Sequence, residues 1–421
     1  MNFLEISRYG FMIAFFLYCA SFIFYVVAVT GKTWKNRDPQ RHERKWGRIS
    51  FVTSSLGLLS HLVYCAFRWA YSGHIPVSNM YEFMTFLSMM VMIAFTVIFL
   101  IYRKILLGMF ALPIAIIIMA YAAVFPQDVQ PLIPSLRSIW LYIHVTLAAT
   151  SEAFFAVGFV AALLYLLRTI EFDSNEKSAR RQKRWIEFTL FSIIIVVGFI
   201  VSVFAFRAAG YEAVFTQNQT VIDSQVQQDS TIEQQGVYHM PPIVAPYQSK
   251  AESVPSFLGM DRAWFEAPSW MSEASSARKL NTVIWALIAG IVLYLLLRLI
   301  LRRPLSKVLA PAVKGIDPND ADEISYRSIA IGFPIFTLGA LVFAMIWAQQ
   351  AWGRFWGWDP KEVWALITWL YYSAYLHLRL SRGFHGRKAS WIAVIGFLVV
   401  MFTLVGVNLI IAGLHSYAGT D

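Results

Sequence analysis

The sequence predicts an all-α, polytopic integral membrane protein with about ten transmembrane helices, and three observations carry that expectation. Of 421 residues, 58% are hydrophobic and only 14% are charged, against about 25% charged in an ordinary globular domain. The apolar residues fall in runs of about 20, the length that crosses a bilayer at 1.5 Å per residue. The basic residues gather in every second connection between those runs. A soluble sphere of this composition would expose large apolar patches. Cytosolic enzyme, disordered chain and collagen-like fibre are therefore excluded. Lipid cannot satisfy backbone amides, so each span should be a helix, and no alternating β-barrel pattern competes.

In chain order the expected spans are Phe11–Thr30, Ile49–Tyr71, Tyr81–Tyr102, Ile105–Phe125, Ile139–Leu167, Phe188–Phe206, Val283–Leu301, Ser328–Gln349, Val363–Leu380 and Ser390–Leu414. The basic connections are Lys32–Arg48, Arg103–Lys104, Lys177–Arg184, Arg302–Arg327 and Arg379–Lys388. The positive-inside rule puts them in the cytoplasm, so both termini are expected outside. The net charge of +10 is thus a topology signal, not a nucleic-acid groove. Cys19 and Cys65 each lie in an apolar run, with no C-x-x-C and hence no thiol-redox pair. The first span lacks a cleavable signal pattern and is expected to stay in place.

This divides the chain into six helices over residues 1–206, an external segment over 207–281, and four helices over 282–421. The external segment is Gln-rich in its first half and carries Trp264, Phe265, Trp270 and Met271 in its second. Its second half suits the membrane surface or a partner's face.

The outward connection between the eighth and ninth spans reads from Trp352 to Trp364 and is unusual. One or two Trp there would suggest an interfacial aromatic belt. Four Trp in thirteen residues, interleaved with Gly353, Gly357, Arg354, Asp359, Lys361 and Glu362, suggest more. Glycines admit close approach of the backbone to a flat ligand. Indoles give a rigid apolar platform, and Arg354 and Lys361 suit carboxylates at its edge. A large, flat, amphiphilic anion such as haem fits that chemistry.

The pattern W-G-x-x-W-x-W-D-x-x-E, held here by Trp352, Gly353, Trp356, Trp358, Asp359 and Glu362, resembles the tryptophan-rich "WWD" domain of haem-handling proteins. Within that group the chain resembles the CcsA/ResC family of system II cytochrome c assembly. Gly73–Glu82, Trp140–His144 and Gly413–Tyr417 are similar as well. The resemblance covers most of the chain, the Gln-rich segment excepted. It implies a multi-pass protein of a plasma or thylakoid-type membrane, with the tryptophan loop on the extracytoplasmic side. It implies a haem-binding set of those six motif residues with Arg354, and haem b as bound and transported substrate. It also implies external haem ligands, which would position the reaction, at His144 and His415, and a transmembrane ligand at His377. Its partners would be a CcsB/ResB-type subunit, an apocytochrome c and, indirectly, a thiol-reducing thioredoxin-like protein.

On position alone, His144 and His415 flank the tryptophan loop from one side of the bilayer, and interfacial histidines bonded to headgroups are an equal alternative. His377 lies about 20 Å along a helix from Trp364, where a lone histidine needs a partner. That mate is a partner-subunit histidine if the resemblance holds, or His61 of the second span within this chain. His42 and His385 sit in basic loops, and His239 lies in the external segment. Ser78, Asn79 and Glu82 suit turn and capping duty at the third span. The expected activity is haem export with thioether attachment to Cys-x-x-Cys-His on the outer side. Two alternatives stay open: a haem chaperone without ligase activity, and a b-type electron-transfer cytochrome.

Overall fold

The computed structural model describes residues 2–31, 38–129, 137–222, 229–272, 274–381 and 384–407. Long helices stand at all ten expected spans. They are α1 (Phe3–Thr30), α2 (Pro39–Ser72), α3 (Met80–Tyr102), α4 (Ile105–Ala122), α5 (Ile139–Thr169), α6 (Lys177–Ala208), α7 (Ala274–Leu301), α8 (Pro318–Trp352), α9 (Pro360–Leu380) and α10 (Arg387–Gly406). Nine of these, among the described residues, are long and apolar enough to cross a membrane. The tenth, α9, carries Lys361, Glu362, His377 and Arg379 in its 21 residues. Starts follow local chemistry. Asp38, Asn79, Ser138, Asp317 and Asp359 each accept a backbone N–H of the first turn, and proline follows the cap at Pro39, Pro318 and Pro360.

The helices fall into two compact units. The first combines α1–α5 with α8–α10, and the second holds most of α6, the segment between α6 and α7, and α7. In the first unit α5 is the central element, buried along most of its length. Small residues let α8 approach it closely, the usual device between membrane helices. The Ser325 hydroxyl donates to the Gly158 carbonyl at 2.9 Å. A Cβ at Gly339 would come within 2.6 to 2.8 Å of Leu147 and Ala148. On its other sides α5 stacks Phe155 on Tyr372 of α9 at 3.9 Å and Phe159 on Phe397 of α10 at 4.7 Å.

Ion pairs pin both ends of the first unit. At one end Arg68 donates to Glu82 at 2.8 Å, with both side chains wholly buried. Glu82 also accepts from the Ser78 N–H and hydroxyl, and Arg68 donates to the Gln127 carbonyl. Asn79 caps α3 by accepting the Glu82 N–H at 2.8 Å. The capping duty expected of Ser78, Asn79 and Glu82 is therefore present, with an ion pair added. At the other end Arg379 binds Asp322 through both guanidinium nitrogens, and Lys104 binds Asp320.

In the second unit the segment between α6 and α7 is not featureless. Strands β1 (Ala213–Ile222) and β2 (Asp229–Tyr238) form an antiparallel ladder that sets Gln217 opposite Gln234. Strand β4 (Ser249–Ser253) joins β1 on its other edge, and β3 (Val244–Ala245) pairs with β5 (Phe265–Glu266). Phe206, Tyr211, Phe215 and Tyr238 form a small core against Trp285 of α7. Asn281 ties α7 to the sheet by accepting the Ile243 and Val244 N–H groups.

Candidate functional site

Helix α8 is interrupted by a π-helical stretch, Thr337–Phe343, and α10 contains another, Phe402–Gly406. Such widened turns displace a carbonyl from the regular ladder and recur at functional sites. Here His144 Nδ1–H donates to the Gly339 carbonyl of the first π stretch at 2.9 Å. That bond selects the tautomer whose lone pair sits on Nε2, the arrangement in which a histidine ligates a metal. The His144 ring also lies parallel to the Trp347 indole, 5.8 Å away at 10°. Trp347 packs edge-on against Trp352 at 4.8 Å, and Trp140 stacks on Phe343. Each aromatic pair is worth about 0.5–1.5 kcal/mol beyond its buried area. The imidazole is therefore held in both tautomer and orientation.

The tryptophan loop has a defined shape. Gly353, at φ 72°, closes α8 with a left-handed cap. Asp359 and Glu362 form a capping box at the start of α9. The Glu362 carboxylate accepts from the Gly357 N–H at 2.7 Å and the Asp359 N–H at 3.2 Å, while Asp359 accepts from Lys361 N–H at 3.0 Å. These two acidic motif positions thus work on the loop's own backbone, a shaping role that direct ligand contact would not require. Between them Trp358 takes a left-handed backbone, φ 57°, a strained state costing on the order of 1–3 kcal/mol. Its indole is 71% exposed, beside Phe355 at 59%. The Arg354 guanidinium lies over Gly357 so closely that a Cβ there would sit 2.5 Å from it. A side chain there would have to displace the guanidinium.

A cavity of about 140 Å³ opens beside the loop. His144, Ala148 and Glu152 of α5 line one wall, Ala340 and Trp347 of α8 another, and Trp356, Lys361 and Glu362 the loop side. Thr403 and Leu404 bring in the second π stretch. Buried polar atoms here without a hydrogen-bond partner among the described residues include Trp356 Nε1 and Glu152 Oε2. The walls are apolar and aromatic, with a few convergent polar groups, the usual make-up of a small-molecule site.

The profile of the family described as "Cytochrome C assembly protein" matches residues 77–211 and 281–415, more than half of the chain. The chain belongs to this family. It is similar to the "Cytochrome c biogenesis protein CcsA" of Trichormus variabilis, 32% identical over 83% of this chain and 82% of that protein. Proteins with the same description match from Porphyra purpurea, 28% identical over 88% and 89%, and from Prochlorococcus marinus, 27% identical over 98% and 97%. This CcsA-type protein is therefore a multi-pass membrane protein of cytochrome c biogenesis, a process that handles haem. The family match leaves out residues 212–280, which hold the β-strands of the second unit.

Of the expected site residues, the first unit brings His144, Trp352, Gly353, Arg354, Trp356, Trp358, Asp359 and Glu362 around one cavity and its loop. His415 lies outside the described residues. His377 stands apart, in the last turn of α9, with its side chain exposed. The internal pairing of His377 with His61 is not formed. His61 is wholly buried among Phe11, Tyr18 and Tyr64, with the Tyr18 hydroxyl 3.5 Å from Nδ1. His42, expected in a basic loop, is instead buried in α2 beside the Val27 carbonyl. His74 is buried too, its Nδ1–H donating to the Ile75 carbonyl. Sequence reasoning missed Glu152, Trp347 and the two π stretches. The i, i+4, i+8 spacing of His144, Ala148 and Glu152 signals the first; nothing local signals a π turn.

Proposed function

We propose that this CcsA-type protein exports haem b and, with a CcsB/ResB-type subunit, joins it to apocytochrome c on the extracytoplasmic side. The observation that carries this reading is His144, oriented by the Gly339 carbonyl and by Trp347, in a cavity walled by the tryptophan loop. Haem is the substrate here, not a resident cofactor. The cavity has room for one edge of a macrocycle, and the rest would extend over Phe355 and Trp358, whose rings already face solvent. Trp356 N–H and Lys361 supply donors for its polar groups, and Arg354 a further cation. His415 would complete the axial pair, leaving the vinyl groups accessible.

The reaction itself asks little of the protein beyond placement. A thiol of Cys-x-x-Cys-His adds across a vinyl group, forming a carbon–sulfur bond while the thiol hydrogen ends on the adjacent carbon. Holding the two partners in contact is the main catalytic contribution. The thiols must arrive reduced, which fits a thioredoxin-like reductant acting beforehand. The chain's own cysteines lie within helices α1 and α2. His377, exposed on the side of α9, suits a haem ligand shared with the second subunit during transit.

Reconstitution tests the reading. The purified pair with reduced haem and a Cys-x-x-Cys-His peptide should yield peptide-bound haem by mass spectrometry. Haem delivery without a covalent product would make the protein a chaperone, and haem that never leaves would make it an electron-transfer cytochrome.

A further inference from the structure

In the second unit, Phe257–Met260 is a hairpin turn with two central residues. The Phe257 N–H donates to the Met260 carbonyl at 3.0 Å, and the Met260 N–H returns the bond at 2.9 Å. Leu258 and Gly259 between them are both left-handed, at φ 51° and 81°. Such a turn ordinarily takes Asn-Gly, because bulky residues avoid positive φ. Leucine stands here instead, with its surface 93% exposed. In water that choice is unfavourable twice, in the backbone and in the side chain.

The turn sits beside two spans. Phe257 packs edge-on against Phe206 of α6 at 5.1 Å and against Trp285 of α7 at 5.7 Å. The level of Trp285 follows from α7 itself. Its 28 residues extend about 42 Å at 1.5 Å each, more than the roughly 30 Å of a bilayer's hydrocarbon core. The polar residues Arg278, Lys279, Asn281 and Thr282 occupy its early turns, so the apolar run opens at Val283 and Trp285 lies in the first turn of it. Leu258, one residue from Phe257, is therefore held where α7 enters apolar surroundings. One helical turn further out, Asn281 accepts the Ile243 N–H, and the Ile243 carbonyl accepts the Trp264 N–H at 3.0 Å. Trp264 is exposed as well.

We propose that this turn dips into the membrane: Leu258 enters the acyl boundary of the lipid leaflet beside α6 and α7, and Trp264 lies above it among the headgroups. Continuity with the lipid-facing ends of two spans names the occupant, and leucine and tryptophan are the residue types that settle at this boundary. Asp261 and Arg262 follow the turn and are exposed, which limits insertion to its tip. The seat pins the β-strand segment to the bilayer surface, and it stands whatever the cavity of the first unit binds.

The test uses the full chain in phosphatidylcholine nanodiscs, without a second subunit. A nitroxide is attached at Leu258→Cys in a Cys19→Ser, Cys65→Ser background. Its collisions with oxygen, which concentrates in lipid, are compared with those of a water-soluble nickel chelate. The same label at Lys250→Cys, on an exposed position of β4, is the reference. The label at position 258 should favour oxygen over nickel at least about fivefold more than the reference does. Equal ratios would overturn the proposal. A label shielded from nickel only after a CcsB/ResB-type subunit is added would overturn it too, and make the turn a protein contact. A label-free variant gives a second reading. Asparagine suits this turn, so Leu258→Asn should fold, yet trypsin should cut after Arg262 several-fold faster in nanodiscs than in the wild type. An unchanged rate of cutting would count against the lipid seat.

Discussion

Two buried acidic groups in the first unit invite comparison. Glu82 is wholly enclosed, and so is its partner Arg68, yet the carboxylate takes the guanidinium, a backbone N–H and a hydroxyl. Glu152 is nearly as buried but keeps an oxygen without a donor, and it faces a cavity. In the first network the carboxylate itself is satisfied and ties α2 to α3, although Arg68 Nη1 has no hydrogen-bond partner among the described residues. The second is open on the side where a ligand would come. A satisfied buried charge holds structure, while an unsatisfied one beside a cavity marks where the molecule expects something else. The histidines divide in the same way. His61 is sealed among aromatic rings, His144 is aimed at the cavity, and His377 is turned outward.

The contrast breaks most easily at His144. His144→Ala should lower holocytochrome formation by at least about 100-fold, scored by covalent haem staining with membrane insertion confirmed by immunoblot. Insertion without loss of attachment would put the site elsewhere. The closed network should respond in stability instead. Arg68→Ala, which leaves Glu82 buried without its cation, should destabilise the protein by about 3–5 kcal/mol, read from thermal unfolding in detergent. Replacing both partners by apolar residues of similar volume should recover most of that loss.

Smaller effects sharpen the comparison at the loop. Asp359→Ala removes the cap of α9 and should cost about 1 kcal/mol, with a several-fold fall in haem attachment because the loop loses its shape. Trp358→Gly relieves the left-handed strain and should leave stability equal or higher by up to about 1 kcal/mol, while haem retention falls. A parallel loss of both properties would mean that the indole serves packing alone. His61→Phe should change least, with attachment at the wild-type level and stability within about 1.5 kcal/mol.

Much of this was legible in the amino-acid order, for identifiable reasons. Span length and charge placement are set by the bilayer, so all ten helices could be located from apolar run length and the order of basic connections. The Trp352–Trp364 loop stood out because its residue types are rare together. Other features depend on neighbours distant in the chain. Whether His61 meets His377 turns on helix packing, and the rings of Phe11 and Tyr18 settle it. The bond from His144 to Gly339 joins residues 195 apart. It needs a π turn, which leaves no local signature. Glu152 was missed because a single carboxylate in an apolar run shows its importance only once the cavity is seen. Asp359 and Glu362 were legible as a motif but not as a capping box, although their three-residue spacing before an apolar helix states it. The β-strands were hidden by glutamines, whose pairing of Gln217 with Gln234 is a matter of register.

The central claim is that the oriented imidazole of His144 takes the iron of a porphyrin held beneath the tryptophan loop. Its most direct measurement is the resonance Raman spectrum of haem loaded into His144→Gly protein, with and without added imidazole. The account predicts that the substitution abolishes the low-spin, histidine-ligated signature of the external site and that free imidazole restores it. A low-spin spectrum unchanged by the substitution would contradict it.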